Sequence, residues 1–148
     1  MVKELIESSA SGKAIVFCPF RSVVTYVADK LRAAGYRVAI VRSEVTKRER
    51  DKIFADFQTH GTLDVIVAIP SCMSHGLTLT AASSIIWYAP IASNDVFEQA
   101  NGRVRRPGQK HKCVLALISG SPIERRYYKR LRDKQSSQGV LLDLLRGR

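Results

Sequence analysis

The stretch Gln99-Ala-Asn-Gly-Arg103-Val-Arg105-Arg106-Pro107-Gly108-Gln109 is the part of this chain whose reading decides the fold. At about 100° per residue, positions 99, 103 and 106 share one side of a helix, so Gln99, Arg103 and Arg106 form a polar stripe. Val96, Phe97, Ala100 and Val104 form an apolar stripe roughly 110° away, which suits a helix packed on a core with its arginines directed sideways. Ser93-Asn94-Asp95 supplies cap-type residues at the start. Pro107 disfavours helical geometry at Arg106, so the second arginine is expected where the helix ends. A guanidinium there can meet an anion, although from the stripe alone a solvated basic helix end reads the same.

Outward from this segment, buried apolar runs alternate with amphipathic helical patterns. Strands are predicted over 14–18, 36–41, 63–69, 84–88 and 113–118. Helices are predicted over 23–34, ending at Gly35, over 46–58, with Ile53, Phe54 and Phe57 on one side, and over 123–135, with a last short one over 140–145. Strands joined by helices of this length predict an α/β fold of one domain, a parallel sheet of about five to six strands with helices on both faces. The expected organisation is a flexible segment over 1–12, the lobe proper over 13–135, and a tail or short helix over 136–148, with residues 135–139 loosely held.

At 148 residues and 45% apolar composition the chain is long enough for a single core. No apolar run approaches a membrane span and no leader pattern opens the chain, so neither membrane insertion nor secretion is expected. That leaves a cytoplasmic or nuclear setting. Cys18, Cys72 and Cys113 are odd in number and lack CxxC spacing, so buried thiols are expected rather than metal ligands or a disulfide. Net charge is +11 and unevenly spread: residues 1–102 hold 11 Lys and Arg against 10 Asp and Glu, whereas 103–148 hold 13 against 3. A one-sided basic surface points to a polyanion, most simply nucleic acid, or else to a solubilising face.

Gln99-x-x-x-Arg103-x-x-Arg106-x-Gly108-Gln109 resembles the sixth helicase motif, QxxxRxxRxGQ, of Swi/Snf-type superfamily-two ATPases. Gly76-Leu77-Thr78-Leu79-Thr80-Ala81-Ala82 resembles their fifth motif, GLxLTAA. The resemblance covers about residues 13 to 135. It departs from the family at Gly102 and Arg105, where an acidic residue and a histidine are usual, at Arg42-Ser43, where Asp-Gly is common, and at Met73-Ser74-His75, where further glycines are usual. His75 reads as a polar loop residue.

The resemblance implies a C-terminal RecA-like lobe in which Arg103 and Arg106 act as arginine fingers on ATP, with Gln99 and Gly76 also near the nucleotide. It implies nucleic-acid contacts at Phe20 and Arg21 after the first strand, at Arg42 and Ser43 after the second, and at Ser71. The helix over 123–135 adds Arg125, Arg126 and Lys129, with Ile123, Tyr127 and Leu131 as its expected buried side. DNA is the first expectation for the track and RNA the other. ATP with Mg²⁺ would be held mainly by an N-terminal RecA-like lobe, in cis or in trans, because this chain carries no phosphate loop. Gly12-Lys13 would need Gly at position 7 and Ser or Thr at 14, where Glu7 and Ala14 stand. No Asp-Glu pair occurs, and no protein metal site is expected. The chain alone is therefore expected to be inactive. The alternative is an inactive nucleic-acid-binding or adaptor module that keeps the fold; an unrelated doubly wound enzyme would need a Gly-rich turn where Cys18-Pro19-Phe20-Arg21 stands.

Overall fold

The computed structural model describes residues 2–73, 79–91, 93–118 and 122–145, with His60 and residues 134–145 described by backbone alone. Five short runs, β1 (Ala14–Phe17), β2 (Val38–Val41), β3 (Val65–Ala68), β4 (Ser84–Trp87) and β5 (Val114–Leu117), form one sheet in the order β2-β3-β1-β4-β5. Every pairing is parallel, with Ala14 level with Val65 on one side and Ser84 on the other. β1 lies at the centre, so Ala14, Ile15, Val16 and Phe17 are all fully buried, whereas edge strand β5 is only half covered. This is the predicted α/β architecture.

The side-chain alternation of the strands divides the interior in two. Ile15, Phe17, Ile66, Ile85 and Trp87 pack against α3 (Lys47–Ala55), α4 (Asn94–Gly102) and α5 (Pro122–Leu145) on one face. Ala14, Val16, Val67 and Ile86 pack against α1 (Val2–Glu7) and α2 (Arg21–Ala33) on the other. Within the N-terminal segment, α1 lays Ile6, only 1% exposed, against this face. α5 runs unbroken to Leu145, across the loose stretch predicted at 135–139.

α3 starts with a capping box: Glu49 N–H donates to Thr46 Oγ1 and Thr46 N–H donates to the Glu49 carboxylate. It continues through a π-helical turn, Asp56–His60, that buries Phe57. Thr46→Ala is expected to cost about 1 kcal/mol, seen as a lower midpoint in chemical denaturation; an unchanged midpoint would show the cap to be dispensable. Lys13, beside the incomplete phosphate-loop pattern, is engaged in structure: its Nζ donates to the Phe57 carbonyl at 2.7 Å and lies 5.1 Å from the centre of that ring. Cys18 is buried, which pushes its thiol up to about 12 and leaves it protonated and unreactive at neutral pH. No helix among the described residues is long and apolar enough to cross a membrane.

Candidate nucleotide and nucleic-acid face

α4 begins at the carboxyl edge of the sheet, where Ser93 Oγ accepts from Val96 N–H, and buries Phe97 and Ala100. It ends at Gly102, earlier than expected, so the arginines ride on a following turn rather than on a helical stripe. The glycine weakens the last turn, and Pro107 keeps Arg106 out of helical geometry. Arg106 N–H donates to Val104 O, Gln109 N–H donates to Arg106 O, and Gly108 adopts φ +99°. Gln109 then buckles the segment down: its side-chain amide donates to Ala82 O at 2.9 Å and Val104 O at 3.0 Å. This use of the motif's last glutamine was not foreseen from the sequence.

Arg103 is only 7% exposed, and its Nε donates to the Met73 carbonyl at 2.9 Å while its own carbonyl accepts from Leu79 N–H. Burial, followed by the positive charge of Arg106, lowers its pKa from the usual guanidinium range, although an arginine stays protonated. The structure therefore brings Arg103 and Arg106 together, with Arg106 half-buried and Gln99 exposed on α4. Gly76, together with His75, Leu77 and Thr78, lies outside the described residues. Beside the turn, Gln58, Thr80, Gly108, Lys110 and His111 line a polar pocket of about 210 Å³ that sequence reasoning missed. Within it, Gln58 donates to Thr80 Oγ1 and accepts from Ala81 N–H.

The nucleic-acid candidates map to the carboxyl edge of the sheet, where open α/β sheets bind ligands. Phe20 is the N-cap of α2, Arg42 and Ser43 follow β2, Ser71 lies on the turn after β3, and α5 starts beyond β5. Arg21 pairs with the Glu44 carboxylate, which also faces Arg42 Nε at 3.7 Å; Arg42 Nη1 donates to Thr25 Oγ1 at 2.9 Å. Glu44 thus ties together the loops after β1 and β2, a link signalled only by its place two residues after Arg42. Ser43, Ser71, Arg125, Arg126 and Lys129 are exposed.

The buried side of α5 is Tyr128 and Leu131, with Ile123 (64%) and Tyr127 (40%) exposed. Leu131 is buried as expected, but Tyr128 turns inward in place of Tyr127 because its hydroxyl has a buried carbonyl to meet: it donates to Trp87 O at 3.1 Å. Among the described residues no group of three or more His, Cys, Asp or Glu side chains is placed to hold a metal ion.

A family profile described as the helicase conserved C-terminal domain matches residues 1–108. Over 123 residues, 81% of this chain and 14% of the other, the sequence is 28% identical to a putative SWI/SNF-related matrix-associated actin-dependent regulator of chromatin, subfamily A member 3-like 1, from Arabidopsis thaliana. It is 32% identical over 115 residues to the ATP-dependent RNA helicase DBP10 of Cryptococcus neoformans, covering 78% of this chain and again 14% of the relative. The chain thus spans about a seventh of these curated relatives. Its fold is similar to the C-terminal part of the Fun30 ATPase domain, with a TM-score of 0.77 at 18% identity over 86% of this chain and 42% of that one. The parallel sheet is therefore that of a RecA-like lobe.

Proposed function

Because this chain belongs to the helicase conserved C-terminal domain family, we propose that it serves as the second lobe of a Swi/Snf-type, nucleic-acid-dependent ATPase. ATP with Mg²⁺ is bound by a first lobe, in cis or in trans, that supplies the phosphate loop and the metal-holding carboxylates. The observation that carries the proposal is the placement of Arg103 and Arg106 on one turn after α4, held down by Gln109 on the Ala82 and Val104 carbonyls. As the γ-phosphoryl group passes to water, these guanidinium groups donate to the phosphate oxygens on which charge develops. Arg103 first has to leave the Met73 carbonyl or reach past it. The carboxyl edge of the sheet grips the strand, with DNA as the favoured track and RNA as the other, in the cytoplasm or the nucleus.

A second reading, an inactive adaptor with a helicase-like fold, draws on the same Arg103, whose burial gives it a structural use without any nucleotide. Nucleic-acid-stimulated ATP hydrolysis separates the two. The chain alone is expected to be inactive, and turnover is expected once a cognate first lobe is present. No turnover in either form, with binding intact, favours the adaptor.

Changing Arg125, Arg126 and Lys129 to glutamate is expected to weaken nucleic-acid binding. The slope of log affinity against log salt should become shallower by about 2 to 3, as three phosphate contacts are lost. An unchanged slope would make this face of α5 a solvated one.

A further inference from the structure

The chain leaves β1 toward β2 and leaves β4 toward β5, and α2 and α4 lie on opposite faces of the sheet. The ends of the adjacent strands β1 and β4 therefore form a topological switch point, the place where an open parallel sheet leaves a crevice. A groove of about 380 Å³ lies there, walled by Phe20, Ile91, Ile123 and Tyr127. That volume is within the range of small-ligand sites. Phe20 is 61% exposed at the N-cap of α2, where its side chain makes no capping hydrogen bond and contributes nothing to the core. Ile123 and Tyr127 also form the wall of a second groove, of about 270 Å³, whose other lining is Arg126 and Arg130. The Arg130 guanidinium lies 5.0 Å from the centre of the Tyr127 ring. An aromatic slot thus shares a wall with a cationic one.

From this arrangement we infer a site for a single unpaired nucleotide, its base stacked in the slot between Phe20 and Tyr127 and its phosphate on Arg126 and Arg130. The inference rests on the proposal that the carboxyl edge binds nucleic acid, and adds that it holds a base as well as the backbone. Stacking is tolerant of sequence because every base has a π-face, and arginine beside the ring adds to it. Glu124 lines the aromatic groove and the arginines line the other, so the phosphate belongs on the arginine side.

The test compares a short oligothymidylate with an abasic oligonucleotide of the same length and charge, each titrated with the full chain. The parent is expected to prefer the base-bearing strand by about tenfold. Phe20→Leu and Tyr127→Leu, which keep apolar bulk at exposed positions, are expected to abolish that preference while leaving the salt slope unchanged. Arg126→Gln with Arg130→Gln is expected to weaken both oligonucleotides and flatten the slope. Equal binding of the two strands by the parent, or a preference that survives both leucine variants, would overturn the inference and leave the proposed nucleic-acid track standing. Binding of neither strand at low salt would remove both. An acidic peptide that binds in a Phe20- and Tyr127-dependent manner, with no base preference, would make the groove a protein-docking surface instead.

Discussion

Arg106→Ala, introduced into an enzyme that contains both lobes, is expected to lower ATP turnover by about 10³-fold or more while leaving the fold intact. Arg106 is half-buried on the turn after α4 and is not a member of either apolar cluster. A guanidinium that acts on charge developing in the transition state shows its loss in kcat, with the KM for ATP little changed. Arg106→Lys keeps a positive charge but loses the planar fork that matches phosphate oxygens, so it should recover only part of the rate. Arg103→Ala is expected to differ in kind. It removes a charge from the same site and also strips the Met73 carbonyl of its donor, so turnover and thermal stability should fall together. Steady-state kinetics beside thermal melts separate the cases, and parental turnover in Arg106→Ala would end its assignment as a finger.

The second large effect is structural. Trp87→Ala is expected to destabilise the domain by about 3–5 kcal/mol, within the range for a buried aromatic residue cut to alanine. Trp87 is fully buried, its ring centre 4.7 Å from that of Phe17 and 4.8 Å from that of Phe97, and its Nε1 donates to Asn101 Oδ1 at 2.8 Å. Its carbonyl accepts from Tyr128. The residue therefore anchors both α4, which leads to the arginines, and α5, which carries the basic face. Trp87→Phe keeps most of the packing but leaves Asn101 Oδ1 without its donor, so about 1–3 kcal/mol is expected. Chemical denaturation of the two variants reads both effects. A loss below about 1 kcal/mol in Trp87→Ala would mean the site collapses around the gap.

The central strands were legible in the sequence because burial on both faces requires continuous apolar runs, and 14–18 and 63–69 have few other readings. The arginine motif was legible as well, its spacing intact from Gln99 to Gln109. The state of each arginine was not legible. Helical arithmetic placed Gln99, Arg103 and Arg106 on one stripe, yet α4 ends at Gly102 and buries Arg103 against a carbonyl. The face of α5 was misread for a similar reason. Tyr127 and Tyr128 are adjacent aromatic residues, and which of them turns inward depends on where β4 ends.

What the sequence by itself determined is what local pattern can carry: an α/β chain with a parallel sheet, a basic final third, and an arginine motif just beyond the fourth strand. What only the tertiary structure decided is set by partners distant along the chain: Arg103 with Met73, 30 residues away, Gln109 with Ala82, 27 away, and Tyr128 with Trp87, 41 away. Periodicity ranks a residue by its near neighbours. A buried donor is placed by whichever acceptor the completed sheet presents to it, because leaving either one unpaired costs more than turning a helix.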